Sequence, residues 1–171
     1  MKPKQIDAIM ACDPRGVIGK DGKIPWNCPE DVLHFHNMTS NQIVVMGYTT
    51  WTSTGLPEGF FENRIGIVFT RKPAPSTDIP NIIFVQSLSD FLSLKLPERR
   101  KIFMIGGAEL CQLFLDHNLI HDFILTEMNQ LVDGDTKISL SLLKKWPSHI
   151  IRQTELFTIR CYANPKRQKC N

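Results

Sequence analysis

Residues 16–35 read GVIGKDGKIPWNCPEDVLHF, and their reading decides how the rest of the 171-residue chain is understood. Gly16, Gly19 and Gly22 loosen the first half, and Pro25 and Pro29 fix its direction on the far side. Trp26 sits between them, a large apolar ring in a segment otherwise too polar to be core. Pro29-Glu30 opens a helix, with proline in the first turn and negative charge at the positive end of the dipole. Val32, Leu33 and Phe35 give that helix apolar positions, and Asp31 stands in the first turn beside them. An acid between hydrophobic residues must find partners or lose its charge. Taken singly, Asp31 is an ordinary helix-start acid and Trp26 an ordinary core ring. Together, a mobile loop, a Pro-Trp hinge and a carboxylate on an amphipathic helix describe a lid over a pocket with one acid at its floor.

The length fits one domain with a core large enough to need no staples. An apolar fraction of 42% and a charged fraction of 22% are those of a soluble globular chain. The net charge of +3 is small and scattered, which argues against a nucleic-acid partner; only Lys166-Arg167-Gln168-Lys169 clusters, as a solvated tail. Cys12, Cys28, Cys111, Cys161 and Cys170 form no CxxC pair and no zinc spacing. Their odd number and the lack of a signal peptide point to free thiols in a reducing cytoplasm. No apolar run reaches membrane-span length.

Gln5–Cys12 is a short apolar run, read as a buried strand leading into the lid. After a helix from Pro29 to about Met38, residues 42–47 (QIVVMG) are a strand apolar throughout and therefore buried on both faces. Gly47 and a helical turn from Tyr48 follow, where backbone N–H groups and the Thr50 hydroxyl can receive phosphate. Leu56–Asn63 reads as a turn-rich loop with two exposed rings, Phe60 and Phe61. Strands are expected at 64–70, 81–85, 101–105 and 122–128, with a helix at 89–96 capped by Ser89. Gly106-Gly107 joins the strand of 101–105 to a helix over 108–115, a junction that lets backbone approach a ligand. Residues 132–136 (VDGDT) lack EF-hand spacing, and no metal is expected. Two closing strands, 150–154 and 156–162, complete an α/β domain over residues 1–163, with a mixed, mostly parallel central sheet and flanking helices; 164–171 is a basic tail.

The run GVIGKDGKIPW, followed by PED and a Phe four residues after the Asp, strongly resembles dihydrofolate reductase, and the resemblance spans about residues 6–136. It implies reduction of 7,8-dihydrofolate to tetrahydrofolate, a step of one-carbon metabolism and an antifolate target, by a cytoplasmic monomer that binds small molecules. Asp31 then matches the acid that binds the pterin edge and assists protonation of N5, with two acceptor oxygens facing two adjacent donors. Thr126 matches the residue bonded to that acid, and Trp26 belongs to the same catalytic group. Phe35 matches the ring stacked on substrate, with Ile9, Met10, Ala11 and Val32 lining the pocket. Arg64 matches the clamp on the glutamate tail, a role suited to a planar fork. The implied cofactor is NADPH, held by Gly47, Thr50, Ile105, Gly106, Gly107 and Ala108, shielded by Ile18, Gly19 and Ile24, with Thr70 and Arg71 at the 2′-phosphate.

Four departures stand out: Tyr48 replaces a basic residue at the phosphate, Cys111 replaces a tyrosine near the nicotinamide, Lys137-Ile138 stand where Phe-Pro is usual, and the last hairpin is short. They leave room for a divergent member that binds a pterin or nucleotide with weak turnover, or reduces another heterocycle. The presence of Asp31, Trp26 and Thr126 favours the reductase, because binding alone needs no acid placed for proton transfer.

Overall fold

The structure, a computed structural model, describes residues 3–53 and 56–167, so the expected tail beyond Arg167 lies outside the described residues. In chain order it contains β1 (Ile6–Cys12), β2 (Val17–Gly19), α1 (Pro29–Thr39), β3 (Ile43–Gly47), α2 (Tyr48–Thr52), β4 (Ile65–Phe69) and β5 (Ile82–Val85). There follow α3 (Leu88–Ser93), β6 (Ile102–Gly106), α4 (Ala108–Asp116), β7 (Ile120–Met128), β8 (Thr136–Lys137), a 3₁₀ turn (Leu143–Lys145), β9 (Ser148–Gln153) and β10 (Phe157–Ala163). The main sheet runs β5-β4-β3-β6-β1-β7-β10-β9. All pairings from β5 to β7 are parallel, and β10 is antiparallel to both β7 and β9.

The core divides by strand alternation. Ile43, Val45 and Ile67 face the cluster under α4 with Phe91 and Phe114, whereas Val44, Met46 and Val68 face Phe60 and Phe61. Residues 43–46 of β3 are 0% exposed, as expected for a strand covered on both faces. The lid-side helix starts as its sequence dictates, with Pro29 in the first turn, and its cap residue Cys28 adds no side-chain bond. Asn164, just past β10, is buried, and its side chain donates to the Ile120 carbonyl at 2.7 Å.

Two expectations need correction, and one pairing is new. Phe60 and Phe61 are 3% and 6% exposed, not at the surface. Phe60 stacks on Phe35 at 6.0 Å, Phe61 meets Phe60 edge-on at 5.0 Å, and Gly66 makes the room, since a Cβ there would lie 2.5 Å from the Phe61 ring. The polar residues around the pair hide this burial in the sequence. The cap of α3 is Ser87, whose hydroxyl accepts from the Asp90 N–H at 3.1 Å, and Ser89 lies inside the helix. Finally, β2 and β8 pair as a separate two-stranded sheet, too short to leave a periodic signal. Among the described residues no helix is long and apolar enough to cross a membrane.

Candidate active site

The carboxyl ends of β1, β3, β6 and β7 open on one edge of the sheet, the side on which parallel α/β sheets place ligands. Over them, α1 turns Asp31, His34, Phe35 and Met38 inward, and leaves Val32 and Leu33 half exposed or more. Thr126 on β7 is buried opposite Ala11 of β1, near enough to the Asp31 carboxylate for its hydroxyl to favour that group's charged form. Burial pushes the Asp31 carboxyl above its ordinary range; the Thr126 hydroxyl and the His34 ring pull the other way without cancelling it. Trp26, Phe35 and Ile105 pack with Ile9, Cys28, Phe103 and Ile124 in one apolar cluster beside this acid. Asp31, Thr126, Trp26, Phe35, Ile9 and Ile105 are thus brought together. Met10 packs on the opposite face of β1, as period two demands, so Ile9 and Ala11 supply that strand's side of the pocket.

The lid is fastened at its base by the residue just past the end of β1. Asp13 is 0% exposed and accepts from the N–H groups of Arg15 at 2.8 Å, Val17 at 2.9 Å and Val132 at 3.3 Å. Burial alone would raise its carboxyl; the bonds from Val17, Arg15 and Val132 outweigh that and hold it below the ordinary carboxylate range. Further bonds zip the lid to residues 133–138: Asp135 N to Gly19 O at 3.0 Å, Ile138 N to Gly16 O at 2.9 Å, and Lys20 Nζ to Asp133 at 2.6 Å. Gly134 is required there, because a Cβ would sit 2.3 Å from Val17. Ile18 packs inward and Ile24, 60% exposed, stands at the rim. Asp13→Ala leaves several buried donors unpaired and is expected to cost roughly 2–4 kcal/mol of stability, read by urea denaturation. The loss should shrink at acid pH, because a lowered pKa stabilises only above the unfolded value and that benefit fades as pH falls through the folded one. A loss under about 0.5 kcal/mol would show that Asp13 fastens nothing.

Arg64 is 5% exposed and its fork is already engaged. Nε donates to Thr39 Oγ1 at 3.1 Å, and Nη1 to Phe60 O at 3.0 Å and Asn63 Oδ1 at 2.9 Å. Nη2 donates to His36 O at 3.2 Å and faces His36 Nδ1 at 3.3 Å. The guanidinium also lies 4.3 Å from the Phe60 ring centre. A ligand carboxylate therefore reaches this fork only by exchanging with the longer Nη2 contacts to His36.

On the other side of the opening, Gly47, Gly106, Gly107 and Thr50 meet. A Cβ on Gly107 would lie 3.3 Å from Thr50 Oγ1, and one on Gly47 3.8 Å from the Gly107 N. Gly106 holds φ +115, a conformation L side chains rarely adopt. The result is a glycine-lined backbone cradle at the start of α4, where Ala108 begins the helix and the Thr50 hydroxyl stands at the edge. Thr70 is buried and its hydroxyl bonds the Lys72 backbone at 3.2 Å, so it is turned away from the opening. Arg71 is largely exposed and pairs with Glu109 of α4 at 2.7 Å. Asp13, His34 and Glu109 are the site residues that sequence reasoning missed; of these only Glu109, an acid just after Gly-Gly, carried a local signal.

A family model described as dihydrofolate reductase matches residues 5–156. Dihydrofolate reductase type 9 of Escherichia coli is 29% identical over 146 residues, 82% of this chain and 80% of that protein. Dihydrofolate reductase of Lactococcus lactis is 27% identical over 170 residues, covering 95% of this chain and 99% of its own length. That of Bacillus subtilis is 39% identical over 106 residues, 61% of this chain and 59% of that protein.

Proposed function

The chain belongs to the dihydrofolate reductase family, and from that premise we propose that it reduces 7,8-dihydrofolate to 5,6,7,8-tetrahydrofolate with NADPH, Asp31 serving as the acid of the pterin pocket. The observation that carries this reading is a half-buried Asp31 near the buried Thr126 hydroxyl, beside an apolar cluster containing Trp26 and Phe35. The reduced bond is C=N, so the carbon takes hydride and N5 takes a proton. Asp31 can accept hydrogen bonds from two adjacent pterin donors and keep a proton source near N5. Phe35 and Ile9 offer the flat faces a pterin needs, and Trp26 with the lid excludes water. Arg64 reads the substrate's carboxylate tail once His36 yields the Nη2 contacts.

The glycine cradle fits a dinucleotide, because its phosphates can approach N–H groups that a Cβ would cover. Gly47, Thr50, Gly106, Gly107 and Ala108 would hold them, and Ile105, Ile18, Gly19 and Ile24 would border the nicotinamide. That cofactor supplies the hydride. The four described free cysteines suit a reducing compartment, and we place the enzyme in the cytoplasm. The test is NADPH absorbance loss with and without dihydrofolate. Substrate-dependent loss supports the reading; none, with NADPH and a pterin both bound, would favour a binding protein.

Preference for NADPH over NADH is assigned to Arg71. Its pair with Glu109 is solvent-exposed and contributes little, so a 2′-phosphate can displace it. A charge-assisted contact of about 1.5–3 kcal/mol corresponds to roughly ten- to a hundredfold. Arg71→Ala is expected to use both cofactors with similar kcat/KM, whereas Glu109→Gln, which frees the guanidinium, should sharpen the preference. The wild-type preference should also shrink with salt. Undiminished discrimination in Arg71→Ala would assign the phosphate to another group.

A further inference from the structure

Toward the start of β1 and β7, away from Ala11 and Thr126, three side chains able to ligate a metal converge. Asp7 stands on β1, and His121 and Asp122 are neighbours on β7. One ligand atom from each lies within 4.8 Å of the other two. Asp7 and Ala11, like Asp122 and Thr126, are four positions apart, roughly 13 Å at the rise of an extended strand. The cluster is therefore separate from the pterin pocket, and nothing in the proposed reaction uses it.

Consecutive strand residues point to opposite faces, so His121 and Asp122 should not reach one neighbour together. A bulge in β7 removes that obstacle. Ile6 pairs with Ile120 and Ala8 with Phe123, so Asp7 alone faces both His121 and Asp122. Bulges re-aim side chains, and this one gathers two of them beside an acid. The carboxylates are also held from behind, as ligands of a metal usually are. Asp7 Oδ1 accepts from the Asp122 N–H at 3.2 Å, and Asp122 Oδ1 accepts from Arg167 at 2.8 Å. Asp122 Oδ2 is left 3.3 Å from His121 Nδ1, with Asp7 Oδ1 3.8 Å from the same nitrogen.

His121 Nδ1 is enclosed and has no hydrogen-bond partner among the described residues, because neither carboxylate contact has hydrogen-bond geometry. A ring nitrogen set between two carboxylates calls for a positive charge among the three. A proton on Nδ1 would be poorly aimed at either oxygen, whereas a metal ion takes all three atoms at once. Ligand atoms around a tetrahedral ion lie about 3.3 Å apart, the separation that His121 and Asp122 already show. A turn of the Asp7 carboxylate closes the remainder. The side chains of Asp7, His121 and Asp122 are 14%, 24% and 25% exposed, which leaves an entry path from the surface. One imidazole and two carboxylates suit zinc or cobalt, whereas magnesium and calcium take oxygen ligands.

We propose that Asp7, His121 and Asp122 bind a first-row divalent transition-metal ion, zinc in the simplest case, with water completing its shell. The ion ties β1 to β7 at the end of the sheet away from the pterin pocket. Because only the folded chain brings the three ligands together, binding stabilises the fold.

The test uses the whole protein, stripped with a chelator and then dialysed. Calorimetric titration should find one zinc per chain, bound in the micromolar range or tighter. A hundredfold excess of zinc over Kd should raise Tm by roughly 5–10 °C. His121→Gln and Asp7→Asn, each first shown to melt cooperatively without metal, should bind zinc at least about tenfold more weakly and lose most of the Tm shift. Magnesium at equal concentration should not compete. In wild type alone, ¹⁵N NMR of the histidine rings should show the His121 Nδ1 signal moving as zinc is added, a readout independent of how the variants fold. Zinc binding only at millimolar concentration, equal affinity in wild type and His121→Gln, or an unmoved His121 signal would overturn the proposal. So would thiolate absorption in the cobalt complex, which would assign the ion to a cysteine.

Discussion

Asp31→Asn is expected to lower kcat by roughly two to four orders of magnitude at neutral pH while leaving the fold intact, because it keeps the shape of the side chain and removes its charge and proton traffic. The same variant should melt higher than wild type at pH 7. A carboxyl whose folded pKa is raised binds its proton more tightly in the native state than in the unfolded chain. That contribution is fully present below the ordinary value of 3.8 and is lost as pH rises through the folded value. At neutral pH the ionised, half-buried acid is therefore a burden that Asn removes, a trade of stability for activity common at active sites. The gain should close as pH falls below 3.8. Parallel kcat and thermal-melt series across pH check both halves; near-wild-type turnover would remove Asp31 from the chemistry.

The second large effect concerns 2,4-diaminopyrimidines. Such a ring accepts a proton and then presents two adjacent N–H donors with a positive charge, complementary to the Asp31 carboxylate. Breaking a buried ion pair by deleting one partner costs about 3–5 kcal/mol, so Asp31→Ala should weaken binding by roughly two to three and a half orders of magnitude. Calorimetric titration of wild type and variant with the same inhibitor measures this directly. Equal affinities would mean that the inhibitor binds away from Asp31 or binds uncharged.

What was legible in the sequence was whatever local chemistry dictates. Pro29 and the acids after it opened a helix where expected, the unbroken apolar run of 43–46 became a strand buried on both faces, and Gly106-Gly107 marked a strand-to-helix junction with open backbone. Asp31 and Thr126 are far apart in sequence, and the resemblance to a family related them before the fold did. Harder to read were features whose partners come from distant segments. Phe60 and Phe61 look exposed amid Pro, Glu and Asn until Phe35 and the bare face of Gly66 are placed against them. Asp13 looks like a strand stop until Val132, over a hundred residues on, arrives to bond it. Arg64 announces a cation but not that Thr39, Phe60, Asn63 and His36 have already claimed its donors. β2 and β8 are too short for any period to show, and only their mutual pairing makes them strands.

Transfer of label from cofactor to substrate tests the central claim most directly. With NADPH deuterated at the nicotinamide C4 position and 7,8-dihydrofolate as acceptor, the purified protein should yield tetrahydrofolate carrying one deuterium at C6, seen by mass spectrometry and NMR. Cofactor oxidation should match product one to one, and Asp31→Asn should slow both together. Oxidation of NADPH without deuterium in the pterin, or no oxidation when both ligands are shown to bind, would contradict hydride transfer to dihydrofolate as the activity of this site.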